Sequence, residues 1–301
     1  MTSSVTSNDE VVDLDHSEHG PTDGEPVLVV SGLSAQRSWW PREFVDALAE
    51  DRRVLLPDNR DNGRSPRLDH LGGTGAQLQA YLSGDRSDPP PYPLRAVAAD
   101  HVALLDRLGI ERVHVVGASM GGMVAQHLAF GWPDRVRSLT AIMTTTGARA
   151  VSQPTPEAGA VLVTAPPLTS LEAYLSVAVE QSRVISSPEH FDPETARERL
   201  TAAYEVGIHP QGTLRQFLAI LADGDRTERV RDISVPTLVV HGAQDPLIPA
   251  AGGRALADAV RGASHVEVEG MAHDLPLPVL DRVLQPLRAH LGRVEQAEGH
   301  D

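Results

Sequence analysis

No cysteine occurs among the 301 residues. Thiol catalysis and disulfide staples are thereby excluded, and the composition suits a reducing compartment such as the cytoplasm. Positive charge is in short supply: 26 Lys and Arg stand against 41 Asp and Glu, for a formal net charge of −15. An acidic chain is a poor partner for nucleic acid or for an anionic membrane surface. No apolar run approaches the roughly 20 residues of a membrane-spanning helix. The N-terminal stretch lacks the basic-then-apolar order of a Sec signal peptide, so none is expected. No internal repeat is present. The expectation is a cytoplasmic protein that handles a small molecule, without nucleic-acid or membrane partners. Its length can hold one large α/β domain with an inserted lid, and sets no oligomeric state.

Hydrophobic patterning divides the chain. Residues 1–24 are rich in Ser, Thr, Asp and Glu around one apolar pair, Val11-Val12. An edge strand at most is expected there, with the first dozen residues disordered. Pro26 to Val30 is a continuous apolar run, the pattern of a buried parallel strand. Pro41 opens a helix through Phe44, Val45 and Leu48, and Val54-Leu55-Leu56 forms the next strand. Asp85 to Pro93, with its Pro89-Pro90-Pro91 run, is an exposed loop. Leu94, Ala98, Val102, Leu105 and Leu108 recur at helical spacing. Val113 to Val116 and Leu139 to Met143 are strands, separated by a helix that ends near Gly131-Trp132-Pro133.

From Gly147 to about Val230 the strand pattern stops. Helices are expected at Leu171 to Gln181, Pro193 to Tyr204 and Thr213 to Leu221, and strand patterning returns only at Val235. Alternating strands and helices predict a doubly wound, mostly parallel α/β sheet. The expected organisation is a tail or edge segment at 1–24, a core built from 25–146 and 231–293, a helical cap at 147–230, and a C-terminal tail at 294–301.

Gly117-Ala118-Ser119-Met120-Gly121 lies at the junction of a strand and a helix. In that context G-x-S-x-G is a nucleophile elbow. The turn is too tight for side chains two positions either side of the serine, so both positions are glycine. Ser119 is presented at the apex, and the Met120 N–H at the helix N-terminus can stabilise an oxyanion.

An elbow serine needs a base, and the base needs an orienting acid, in the chain order Ser, acid, His. Pro236 to Gly242 reads as a strand, and Asp245 follows it in Ala243-Gln244-Asp245-Pro246. His265 to Val268 reads as a short strand, and His273 follows it in Glu269-Gly270-Met271-Ala272-His273-Asp274. Ser119, Asp245 and His273 thus all sit past the C-terminal ends of strands, where an open α/β sheet places its active site. The other candidates fit less well. His114 and His265 lie within strands, His101 and His127 on helices, and His290 in the last helix. His241 precedes the acid and suits packing at a strand end. Asp223 and Asp225 sit on a polar turn before the strand.

The segments Val30-Ser31-Gly32-Leu33, Asp58 to Ser65, Gly117 to Gly122, Val239 to Pro246 and Gly270 to His273 together carry a resemblance to the α/β-hydrolase superfamily from about Glu25 to His290. Within it the chain is similar to the actinobacterial branch that includes aclacinomycin methylesterase, which has a like Asp-Asn-Arg-Asp-x-Gly-Arg-Ser run and Gly-x-Ser-Met-Gly elbow. The resemblance implies that Asp58 to Ser65 is a structural loop tying strand ends together, and that the acid comes from after the elbow. It implies a second oxyanion donor at the Leu33 N–H. Many relatives carry His-Gly where this chain has Ser31-Gly32; the backbone donor does not depend on that side chain.

These observations point to a serine hydrolase of carboxylic esters that needs no cofactor and no metal. The resemblance implies a methyl or other small-alcohol ester of a bulky natural product. A thioesterase or lactonase would use the same three residues, as would a cofactor-free perhydrolase. Epoxide hydrolases and dehalogenases have Asp at the elbow, where this chain has Ser119. The alternative outside enzymes is a ligand-binding protein that keeps the pocket without turnover. Trp40, Tyr174, Tyr204 and Phe217 are candidate substrate contacts. The cap residues among them equally suit packing of the cap on itself and on the core.

Overall fold

Residues whose side chains alternate between two buried faces build the sheet at the centre of the molecule. The structure, a computed structural model, describes residues 10–298. Most of the dozen residues expected to be disordered lie outside the described part. The strands are β1 (His16–His19), β2 (Glu25–Val30), β3 (Arg52–Pro57), β4 (Val113–Ala118), β5 (Val136–Ile142), β6 (Thr237–Gly242) and β7 (Ser264–Val268). Their order is β1-β3-β2-β4-β5-β6-β7, with β1 antiparallel to β3 and all other neighbours parallel. Leu28, Val30, Val113, Val115, Leu139 and Val239 face one layer; Val27, Val29, Val116, Ile142, Leu238 and Val240 face the other. Burial on both faces is why the strands read as unbroken apolar runs.

Helices cover each face. On the first lie α3 (Leu94–Arg107), α4 (Met120–Gly131) and α10 (Ala250–Ala259), through Val97, Leu105, Val124, Leu128 and Leu256. On the second lie α1 (Arg42–Ala49) and α11 (Leu280–Glu298), through Phe44, Leu48, Val283, Leu287 and Leu291. Between β5 and β6 the chain forms α5 (Pro156–Val163), α6 (Leu171–Ile185), α7 (Pro193–Val206), α8 (Pro210–Asp223) and α9 (Thr227–Val230), and no strand among the described residues. Tyr174, Leu175 and Ala178 of α6 pack with Leu200 and Tyr204 of α7 as a small core within this insertion.

The structure differs from the sequence reading in particular places. The edge strand is His16–His19, and Val12 packs into the core instead of forming a strand. A helix, α2 (Gly75–Leu82), precedes the proline-rich loop, in a segment where the sequence patterning marks no element. Thr74 caps it by accepting from Gln77 N at 3.1 Å, and Gln77 Nε2 and Tyr81 Oη bind the carbonyls of Pro89 and Asp88 at 2.8 and 2.7 Å. Residues 294–298, expected as tail, continue α11. Val294 is buried, Glu295 takes the Arg52 guanidinium at 2.9 and 3.1 Å, and Glu298 takes Arg112 and Arg137 at 2.7 and 2.5 Å.

Several histidines are buried within this frame. Burial, and behind it the charge of Arg60, lowers His101 to about 3. Burial with Arg137 and Arg52 lowers His114 to about 3, and burial with Arg293 lowers His290 to about 4. Unfolding returns each to about 6.5. Below that pH the unfolded chain binds protons that the folded chain refuses. Stability is therefore full above pH 6.5 and falls as the pH drops, by up to about 1.4 kcal/mol per pH unit for each histidine. His101→Gln is expected to flatten the slope of urea-unfolding free energy between pH 6 and 4 by about that amount for one group. An unchanged slope would show that His101 titrates alike in both states.

Candidate active site

The turn at Ser119 is fixed by the crowding around it. Ser119 has φ 56° and ψ −120°, a left-handed conformation that is strained for a residue with a side chain. A Cβ at Gly117 would stand 2.2 Å from Gly121 O, and one at Gly121 would stand 2.1 Å from Val30 O. Neither position can carry a side chain. Ser119 N donates to Ile142 O at 3.0 Å, and Ser119 O accepts from Thr144 Oγ1 at 2.8 Å and Met123 N at 3.2 Å. The backbone bonds hold the strained turn while leaving the hydroxyl free to meet a partner.

That partner is His273. Its Nε2 lies 3.0 Å from Ser119 Oγ, and its Nδ1 lies 2.7 Å from Asp245 Oδ2. A carboxylate can only accept, so Nδ1 carries the proton and Nε2 is left to accept from the serine. Asp245 Oδ1 accepts the N–H groups of Leu247 and Ile248 at 2.9 and 2.8 Å. Burial alone would raise this carboxyl, but the charge of His273 and bonds from His241 and His273 outweigh it and hold Asp245 at about 2. The ring of His273 is positioned by its own backbone, whose N–H donates to Ile185 O at the end of α6, 2.9 Å away.

His241, read from sequence as strand-end packing, is fully buried and does more than fill space. Its Nε2 donates to Ile248 O at 2.8 Å and lies 3.4 Å from Asp245 Oδ2. The rejected acids lie elsewhere. Asp223 pairs with His127, Arg226 and Arg229 at 3.0, 2.7 and 3.1 Å. Asp225 accepts from Thr227 N at 2.8 Å on the exposed entry to α9.

A Cβ on Gly32 would stand 3.2 Å from Ser119 Cβ, so the Gly32-Leu33 turn runs against the serine. Met120 opens α4, and the first N–H groups of a helix have no partner within it. Trp40 is buried in the core beside α1, stacked on Phe44 with ring centroids 4.9 Å apart. Its indole N–H donates to Ser31 Oγ at 3.0 Å, which gives the serine at position 31 a structural use. Tyr174 and Tyr204 pack on each other at 5.2 Å, and Phe217 is buried in α8.

The Asp58 to Ser65 loop joins strand ends to the insertion. Asn59 Nδ2 donates to Ser31 O at 2.9 Å, and Arg60 pairs with Asp100, both fully buried. Asp61 takes Arg215 of α8 at 2.7 and 2.8 Å. Arg215 binds this loop, and Gln216 links it to the Leu33-Ser34 turn; the sequence reading passed over both. Their only signal is a polar pair set among Leu214, Phe217 and Leu218.

This sheet, elbow and side-chain relay define a recognisable class. A family model described as the alpha/beta hydrolase fold matches residues 25–278, and the chain belongs to that family. The chain is 29% identical to rhodomycin D methylesterase DnrP of Streptomyces peucetius over 311 residues, covering 96% of this chain and 98% of that protein. Among solved structures, a thermophilic esterase from Thermogutta terrifontis is similar with TM-score 0.70 at 24% identity, over 94% of each chain. The enol-lactonase from Burkholderia xenovorans LB400 is similar with TM-score 0.69 at 23% identity, over 93% of this chain and 97% of that one. At such identities the two structures speak to fold. Among the described residues no helix is long and apolar enough to cross a membrane.

Proposed function

We propose that this hydrolase cleaves carboxylic esters through a covalent acyl-serine. The observation that carries the proposal is the continuous relay from Ser119 Oγ through His273 to Asp245, at 3.0 and 2.7 Å. Ser119 attacks the ester carbonyl while His273 Nε2 takes the hydroxyl proton. Asp245 stabilises the charged ring. The Met120 and Leu33 N–H groups bind the oxyanion. His273 then delivers its proton to the departing alcohol. Water enters and attacks the acyl carbon while giving a proton to His273, and His273 returns that proton to Ser119 Oγ as the acyl–oxygen bond breaks and the acid leaves. No electrons are exchanged and no further reactant is needed.

The likeness to a methylesterase supports a methyl ester of a bulky molecule as substrate. The residues 147–230 form the cap that selects it. A protein that only bound such a ligand would have no use for the His273 relay. A nitrophenyl ester should therefore give a burst of about one alcohol per protein before steady turnover, the mark of an acyl-enzyme. Linear release from the first turnover would remove the acyl-enzyme or make deacylation fast. A panel of methyl esters, longer acyl esters, lactones and thioesters then assigns the class.

The cap residues are tested in the same panel. Ala substitutions at Tyr174, Tyr204 and Phe217 are expected to change relative kcat/KM among the esters by roughly 10–200-fold, the scale of apolar pocket discrimination. An unchanged ranking in all of these variants would place the pocket elsewhere.

A further inference from the structure

We infer that Gln216 is a positioning residue for the oxyanion hole, through which the cap helix α8 sets the turn that carries the Leu33 N–H. The inference rests on the serine-hydrolase reading above. Gln216 is fully buried and both ends of its amide are engaged. Oε1 accepts Ser34 N at 3.0 Å, and Nε2 donates to Arg60 O at 2.7 Å. Rotating the amide by half a turn would set donor against donor and acceptor against acceptor, so its orientation is fixed by its partners.

What it holds is a turn under strain. Ser34 has φ 60°, an unfavourable conformation for a residue other than glycine, and the turn is closed by Ala35 N donating to Gly32 O at 3.3 Å. The peptide that Gln216 binds is the one on the far side of the Leu33 Cα from the Leu33 N–H. Fixing the Ser34 peptide therefore restricts the ψ of Leu33 and, with the closed turn, the direction of its N–H. On the opposite side Gly32 packs against Ser119. The neighbouring residue of α8, Arg215, is locked by Asp61 and Asp69, at 2.7 and 2.8 Å, so the amide is delivered from a fixed base. A residue between Glu25 and His290 that belongs to the insertion, 182 positions from Ser34, thus completes the geometry of a core turn.

The test uses the full chain with active sites counted by fluorophosphonate, so that unfolded protein does not enter the rates. Gln216→Met keeps the length and removes both bonds. It is expected to lower kcat per titrated site roughly 10–100-fold, short of the loss from deleting a donor outright, with KM little changed. Affinity for a boronic acid, whose tetrahedral adduct places an oxygen in the hole, should weaken by the same factor. Gln216→Asn, one methylene shorter, should show the same pattern and carries the test where Gln216→Met does not fold. Parent kcat and parent boronate affinity per titrated site, in either folded variant, would overturn the inference and reduce Gln216 to a cap anchor. A wild type that neither labels nor binds the boronate would instead sink the serine reading itself, and this inference with it.

Discussion

Ser119→Ala is expected to lower kcat for a nitrophenyl ester by about 10⁴–10⁶-fold, the range seen when a serine nucleophile is removed. The alanine removes only Oγ, whose single side-chain bond is the one to His273. The backbone that shapes the elbow keeps its bonds to Ile142 and Thr144. The melting temperature should therefore stay within a few degrees of the parent. If Ser119 is the nucleophile, its hydroxyl acts on the reacting carbon and not on the bulk of the ester, so KM should change far less than kcat. A variant that is folded and retains parent kcat would show that the chemistry runs elsewhere.

Asp245→Asn is expected to lower kcat by about 10⁴-fold while the fold persists. The amide oxygen of Asn can take the place of Oδ1, which accepts the Leu247 and Ile248 N–H groups. Its NH₂ would then face both His273 Nδ1 and His241 Nε2. A donor opposite Nδ1 forces the proton onto Nε2, where it blocks acceptance from Ser119. The loss thus follows from the wrong tautomer rather than from a missing contact. Asp225→Asn is the control; its carboxylate only caps the exposed start of α9, and kcat should be unchanged within about 2-fold, as for a surface change remote from the chemistry. A crippling Asp225→Asn beside a near-normal Asp245→Asn would mean that the acid is misassigned.

The parts of this molecule legible in sequence are those where one physical demand dominates. Strands buried on both faces are dominated by apolar residues, so β2, β4 and β6 announce themselves. The elbow glycines are dictated by backbone atoms about 2 Å from where a Cβ would sit. The Asp245 and His273 loops follow strands, and chain order narrows the choice. Elements stabilised by tertiary partners were not legible. The helix α2 has a weakly amphipathic sequence and is held by a Thr74 cap and by bonds to the proline-rich loop. Residues 294–298 look like a polar tail until Arg52, Arg112 and Arg137 are brought beside them. Buried polar groups are harder still. His241, Arg215 and Gln216 acquire meaning only from partners 4 to 182 positions away in the chain.

The direct test of the central claim is the site of covalent modification by a fluorophosphonate. The tryptic peptide spanning 113–135 contains one serine, Ser119, so its mass alone locates the adduct. One adduct per chain, confined to that peptide and absent from Ser119→Ala, is the predicted result. An adduct on any other peptide, or none on a protein that hydrolyses esters, would contradict the assignment of Ser119 as the nucleophile.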